Sequence, residues 1–230
     1  MVENQIEFFN KNGYLVIKDL ITCEECDATV EIFENYSDEN YSPIINLDRE
    51  VPEIRALMKH PRLVETLELI QQTEMMGLQT VFHYKKAGSP YAGQKWSIHQ
   101  DGSYYPGMEY GVNIASDITF ENQNSENGCL FIYPGSHIEP ILPFKQVRSY
   151  SSEKIILNPG NHILSIPDKY RRIDLLLKKG SALILHSNLI HGSYPNLSNR
   201  SRPMLLMSYI KKGAYFPAGN YAERAEIALR

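Results

Sequence analysis

The sequence is short of cysteine, of surplus positive charge and of long apolar runs, and each shortage removes a class of protein. Three cysteines in 230 residues are too few for a disulfide framework. Cys23-Glu-Glu-Cys26 stands without a second CxxC or a nearby histidine pair that would complete a zinc site. Thr22 before that pair and a helical pattern after it place the two thiols one turn apart at a helix start, and Cys129 reads as a small buried hydrophobe. Lys and Arg number 23 against 27 Asp and Glu, a formal charge of −4 with no run of one sign, so there is no basic footprint for nucleic acid. No stretch approaches the roughly 18 uninterrupted apolar residues of a membrane span. The opening Met-Val-Glu-Asn-Gln-Ile lacks the basic start, apolar core and cleavage site of a secretory signal. The expectation is a cytoplasmic protein with a small-molecule partner, no nucleic acid and no membrane; its oligomeric state is not legible.

What is present is enough apolar residue, 43% of the chain, to bury one sizeable core, so residues 1–230 are expected to form a single domain. The first third reads as helical. Residues 3–11 carry Ile6, Phe8 and Phe9 at helical spacing, Gly13 to Ile17 reads as a strand, a helix runs from Cys23 to Tyr36, and Glu53 to Gln72 is helical with a break at Pro61. From Met75 onward short β-like runs alternate with turn residues: Leu78–Tyr84, Tyr110–Phe120, Cys129–Tyr133, Ala182–His186 and Met204–Ile210. The pattern predicts a mainly β protein with flanking helices, a sandwich or jelly roll. Residues 140–179 are less regular, with a polar middle and the basic cluster Lys169 to Arg172, and read either as a lid or as a plain surface excursion.

The chemistry concentrates in three places. In His99-Gln100-Asp101 an extended backbone would aim residues i and i+2 at the same face, so one imidazole and one carboxylate reach one metal ion. A triad of two histidines and one carboxylate suits Fe(II) and leaves positions open for a cosubstrate and O2. His191 follows the apolar run Ala182 to Leu185 and precedes Gly192, which permits close backbone approach, so it is placed to supply the third ligand. Arg202, eleven residues after His191, opens the last long strand. A guanidinium facing a β interior needs an anionic partner, and its planar fork matches a carboxylate. Arg200 shares its parity and is the competitor, expected to be exposed.

These residues, with Phe9, Gly13 to Ile17, Glu126-Asn127-Gly128-Cys129-Leu130, Pro134-Gly135-Ser136-His137 and His191-Gly192-Ser193 followed by Pro195, Asn196 and Ser198, resemble the phytanoyl-CoA dioxygenase family of Fe(II)/2-oxoglutarate oxygenases, which includes ectoine hydroxylase. The likeness runs over nearly the whole chain. It implies a double-stranded β-helix (jelly roll, cupin-like), with His99, Asp101 and His191 on iron, and Arg202 and Ser193 on the distal carboxylate of 2-oxoglutarate. By the same resemblance Asn113, Gln79, His83 and Tyr84 are candidate cosubstrate contacts. His137 belongs to the architecture of its turn, and His60, His83, His162 and His186 carry no metal role. One departure stands out: Trp96 precedes His99 by three positions, whereas the family commonly has Trp immediately before the first ligand. Trp96 and Tyr104 are therefore the candidates for a substrate-facing aromatic wall, with Tyr105 at least as well explained by core packing.

The implied reaction couples O2 and 2-oxoglutarate to hydroxylation of a substrate C–H bond, releasing succinate and CO2, or to a related desaturation or ring closure. Asp101 argues for that outcome, because the related halogenases have a small residue there to admit chloride. Two other readings stand beside it: a catalytically silent jelly roll that binds a metabolite or 2-oxoglutarate, and a zinc or manganese isomerase of cupin type, which leaves Arg202 unexplained. The substrate is open, since such sites share their triad across many substrates.

Overall fold

A computed structural model of the chain describes residues 2–146, 162–219 and 223–230. The helices come first, interrupted by two strands: α1 (Val2–Asn12), β1 (Tyr14–Ile17), α2 (Cys23–Tyr36), β2 (Ile44–Ile45), α3 (Pro52–Met58) and α4 (Pro61–Gln71). Each helix starts where its sequence dictates. Thr22 caps α2, its hydroxyl accepting from the Glu25 backbone while the Glu25 carboxylate accepts from the Thr22 amide, a reciprocal pair that satisfies two otherwise orphaned donors. Pro52 and Pro61 each open a helix, where a missing N–H goes unnoticed. The expected 53–72 helix is thus two helices. Cys26 is fully buried and Cys23 exposed, both in the first turn of α2.

The remaining strands are β3 (Met75–Lys85), β4 (Trp96–His99), β5 (Asn113–Thr119), β6 (Leu130–Ile132), β7 (Phe144–Gln146), β8 (His162–Leu164), β9 (Ile173–Asp174), β10 (Ala182–His186), β11 (His191–Ser193), β12 (Arg202–Lys211) and β13 (Ile227–Ala228). They form a seven-stranded sheet ordered β1-β10-β5-β12-β3-β13, with β2 also on β3, a four-stranded sheet ordered β4-β11-β6-β9, and a β7-β8 pair. All pairings are antiparallel. The fold is a jelly roll of the double-stranded β-helix type. The part of the 140–179 segment that would decide between lid and surface excursion, with its polar middle, lies outside the described residues.

The larger sheet has two unlike faces, because successive side chains on a strand alternate. One face carries Ile114, Ile118, Ile184, Phe82, Tyr84, Leu205, Met207 and Tyr209, and buries them with Phe33, Ile54, Met58, Leu63 and Leu67 of the helices. This is the main apolar core. The opposite face looks at the smaller sheet. There Ala115, Leu183, Leu185 and Met204 pack on Leu130, Ile132 and Leu189. The same face also carries polar groups in register: Arg202 opposite Lys85, Met204 opposite His83, Ser208 opposite Gln79, with Asp117 opposite Leu206.

Candidate active site

Strand pairing brings the two histidines together. His191 on β11 lies directly opposite His99 on β4, and their rings are 4.3 Å apart between centroids. Gly192 makes the approach possible: a Cβ there would lie 2.7 Å from Phe131 Cζ and 2.9 Å from the Trp96 carbonyl oxygen, closer than real contacts allow. Asp101 is not in the strand; the backbone leaves β4 at Gln100 and turns into a short 3-10 helix over Asp101–Tyr104, which still swings the carboxylate back to the histidines. Asp101 Oδ1 is 3.3 Å from His99 Nε2 and 3.6 Å from His191 Nε2. All three residues are buried.

The donor set fits a divalent ion. Mutually adjacent ligands about 2.1 Å from an ion sit about 3 Å apart, and the three ligand atoms all lie within 4.8 Å of one another. His99 Nδ1 is 2.6 Å from the Ser97 carbonyl and His191 Nδ1 is 2.9 Å from the Leu189 carbonyl. A proton on each Nδ1 satisfies those carbonyls and leaves both Nε2 lone pairs aimed at the shared point. Burial pushes the Asp101 carboxyl up, but His191 and His99 beside it outweigh burial and hold it below the ordinary value. Burial keeps His191 below its ordinary value, which favours the neutral ligand form. Gln100, between two ligands, is a residue the sequence reading passed over. Its amide donates to the Pro140 and Asn188 carbonyls and accepts from the Leu142 amide, tying the turn to the loops on either side.

Two cations, Arg202 and Lys85, lie opposite one another on β12 and β3 of the larger sheet. Arg202 is 1% exposed; among the described residues its Nη1 donates to Met204 Sδ at 3.4 Å and Nε has no hydrogen-bond partner. Arg200, by contrast, is exposed and paired with Glu121 at 3.0 Å. A buried guanidinium with no carboxylate is costly alone, so the chemistry of this spot fits a dicarboxylic 2-oxo acid reaching from the triad. Ser193 is buried nearby, its hydroxyl accepting from Lys85 Nζ at 2.9 Å. His83 sits between these cations and the triad. Its Nδ1 is 2.9 Å from the Tyr91 hydroxyl, which also accepts from Trp96 Nε1 at 3.1 Å. Burial first, then Arg202 and Lys85, push His83 down to about 3, so it is a neutral hydrogen-bonding group.

The other expected site residues divide. Trp96 is half-buried with its ring 6.0 Å from that of His99, and Tyr104 lies 5.7 Å from His99 on the other side. Gln79 is half-buried on the inner face. Asn113 is buried at the far end of that face, and its amide donates to the Tyr209 carbonyl. Tyr84 is a correction: alternation along β3 puts it on the helical face, where its hydroxyl donates to Glu34 and its ring packs in the main core, so no cosubstrate role remains for it. Tyr105 packs with Leu78 and Ile210 and bonds the Ser208 hydroxyl, in line with core packing. His137, in its turn, bonds the Asn10 carbonyl. The sequence reading also missed Lys85 and Asp117. Burial, reinforced by Asp101, pushes the Asp117 carboxyl up to about 8, and its Oδ1 has no partner. Lys85 is buried, and its place beside the site follows from its position opposite Arg202 in the β3–β12 pairing.

A jelly roll with two histidines and a carboxylate converging between its sheets, and a buried arginine beyond them, defines a class: the Fe(II)- and 2-oxoglutarate-dependent oxygenases. Comparison with known proteins narrows it. The model of the family described as Phytanoyl-CoA dioxygenase (PhyH) matches residues 46–204, and the chain belongs to that family. Peroxisomal phytanoyl-CoA dioxygenase of Bos taurus is 23% identical over 241 residues, covering 92% of this chain and 69% of that protein. Among solved structures, the epimerase SnoN in complex with Fe3+, alpha ketoglutarate and nogalamycin RO superposes with a TM-score of 0.74 at 15% identity, over 94% of this chain and 85% of that one. EctD from S. alaskensis, with 2-oxoglutarate and 5-hydroxyectoine, gives 0.71 at 18% identity, over 96% and 81%. Iron and 2-oxoglutarate are therefore the cofactor and cosubstrate of the class to which the chain belongs. Several curated relatives are peroxisomal proteins, so the cytoplasmic expectation rests on the sequence alone; among the described residues no helix is long and apolar enough to cross a membrane.

Proposed function

We propose that this protein is a single-domain hydroxylase that oxidises a C–H bond of a free small molecule in the cytoplasm. The observation that carries the reading is a complete metal triad on the smaller sheet together with a buried arginine on the larger sheet that forms no ion pair among the described residues. His99, Asp101 and His191 hold the iron. Arg202 and Ser193 take the distal carboxylate of 2-oxoglutarate, with His83 and Gln79 lining its course and Asn113 at the outer end of the face. Bound iron and 2-oxoglutarate supply the O2 chemistry, which releases succinate and CO2.

The chain's own contribution is position and exclusion. The Ser97 and Leu189 carbonyls fix both imidazoles in the ligating tautomer. The Gln100 amide locks the turn that carries Asp101. Trp96 and Tyr104 flank His99 and form the wall against which a substrate is held, shielding the reacting centre from water. Retention of the Asp101 carboxylate supports oxygen transfer over halide transfer.

The test is anaerobic loading with Fe(II) and 2-oxoglutarate. A visible charge-transfer band in the wild type, absent in His99→Ala and requiring far more 2-oxoglutarate in Arg202→Ala, supports the assignment. Substrate-dependent, O2-dependent succinate formation with a hydroxylated product then supports the outcome. A folded, iron-loaded protein without the band would sink the oxygenase reading in favour of a silent metabolite-binding jelly roll, and an epimerised or cyclised product would sink hydroxylation alone.

A further inference from the structure

The oxygenase reading uses one of two cations buried at the inner end of the fold. The other is Lys85, the last residue of β3, register partner of Arg202 and 0% exposed. Like charges directly opposite on a sheet are destabilising. Among the described residues neither cation is paired with a carboxylate. The floor beside them is closed, since a Cβ on Gly128 would meet Lys85 Cδ at 3.2 Å and the Tyr194 carbonyl oxygen at 2.8 Å.

Counting donors shows what the two cations lack. An ammonium has three N–H donors; Lys85 gives two, to the Ser193 hydroxyl at 2.9 Å and to the Tyr194 carbonyl. Ser193 Oγ accepts from Lys85 and, at 3.4 Å, from the Trp96 amide. With both lone pairs engaged, its one O–H points to an acceptor elsewhere. Arg202 Nε is unpartnered. Register partners Arg202 and Lys85 thus each keep a donor without an acceptor among the described residues, Ser193 has its O–H to give, and a carboxylate presents about four lone-pair sites.

We propose that Lys85 and Arg202, with Ser193 against Lys85, form one two-cation anchor for a carboxylate, and that Lys85 sets the preference for a dicarboxylic over a monocarboxylic 2-oxo acid. This deepens the oxygenase reading and rests on it. Lys85 acts on affinity and selectivity and takes no part in bond making. Burial, then Arg202, push its ammonium well below the ordinary lysine range, and an anion beside it would act against both.

The single tryptophan, Trp96, whose amide touches Ser193, reports binding without turnover. The Mn(II)-loaded, oxygen-free protein is titrated with 2-oxoglutarate and with 2-oxopentanoate, which lacks the distal carboxylate, in wild type, Lys85→Met and Lys85→Arg. Lys85→Met weakens 2-oxoglutarate by about 10- to 100-fold, the range of one charge-assisted hydrogen bond, and leaves 2-oxopentanoate within about threefold. The preference between the two acids falls by the same factor, and Lys85→Arg restores part of it. An unchanged or raised melting temperature of Lys85→Met shows that the variant is folded. A folded Lys85→Met with its preference intact would overturn the proposal, as would equal weakening of both acids, which marks Lys85 as a mere strap on the Tyr194 loop. A wild type that binds neither acid overturns the anchor and the oxygenase reading together.

Discussion

Replacing Arg202 by Met separates what this residue does for function from what it does to the fold. In the free protein the guanidinium is 1% exposed, with a thioether as its only side-chain hydrogen-bond partner among the described residues and a second cation as its register neighbour. Burying an unpaired charge is penalised by several kcal/mol, and apolar replacements of buried charges stabilise by about 1–4 kcal/mol. Methionine keeps most of the stem, so Arg202→Met gains about 1–3 kcal/mol without ligand, or roughly 3–10 °C in Tm for a chain of this size. The ligand response moves the opposite way. Truncating one partner of a buried charge pair weakens binding by about 2–5 kcal/mol, at least about 30-fold. At a 2-oxoglutarate concentration 100 times the wild-type Kd, linkage stabilises the wild type by about 2.7 kcal/mol and the variant by under about 1 kcal/mol. The assay is thermal unfolding of Mn(II)-loaded protein under nitrogen, with and without 2-oxoglutarate. A variant less stable than wild type without ligand, yet retaining the full ligand-induced rise, would refute the reasoning, because Arg202 would then have an internal partner and no ligand.

Other consequences follow from the same contacts. His191→Ala removes one of three ligands and lowers Mn(II) or Fe(II) affinity by at least about 100-fold, read by metal titration, while the fold survives because the core lies on the other side of the larger sheet. Gly192→Ala forces β11 off Phe131 and the Trp96 carbonyl, destabilising by about 1–3 kcal/mol as overpacked sites do; metal affinity falls with it, since His191 is held one residue away. Stability falls in acid in part because of His186, which burial and then His137 push down to about 4, alongside His83, which is pushed down further. The unfolded chain takes up the His186 proton near pH 6.5 and the folded chain does not. The His186 contribution, about 3 kcal/mol at full extent, is therefore intact above pH 6.5 and lost as pH falls toward 4; denaturant unfolding at pH 7 and pH 5 measures it, and His186→Gln reduces the dependence without abolishing it.

The sequence revealed most where one local rule acted without competition. Helix starts were legible because Thr22, Pro52 and Pro61 each settle a boundary through a single backbone donor. The strand Ala182–His186 was legible because it is buried on both faces and reads as an uninterrupted apolar run. Short strands such as Ile44–Ile45, Ile173–Asp174 and Ile227–Ala228 were not, because two residues carry no period. Site residues followed the same division. The triad was found because its spacing reflects local geometry, although Asp101 reaches the histidines through a 3-10 turn where an extended strand had been expected. Tyr84 was misassigned, and the side on which Lys85 lies was not legible, for one reason: adjacent residues on β3 face opposite sides, and only the pairing with β12 tells which side is which.

That pairing also explains how one sheet supports both stability and a polar interior. The helical face of the larger sheet is almost wholly apolar, with Leu205, Met207 and Tyr209 each fully buried in the main core, where burial of apolar surface stabilises the fold. The inner face can then carry Arg202, Lys85, His83 and Asp117, each of which would be penalised in an ordinary core. The like charges of Arg202 and Lys85 are offset when an anion binds between them, and Asp117 Oδ1 and Arg202 Nε, without partners among the described residues, mark where this face is least satisfied. Substitutions at these inner positions should accordingly raise stability as they lower ligand affinity, whereas substitutions at Leu205 or Met207, one residue away along the strand, should lower stability and leave the affinity of the remaining folded protein unchanged. A set of inner and outer variants of β12, scored for Tm and for 2-oxoglutarate affinity, tests this; if the two properties fell together at inner and outer positions alike, the division of labour between the faces would be wrong.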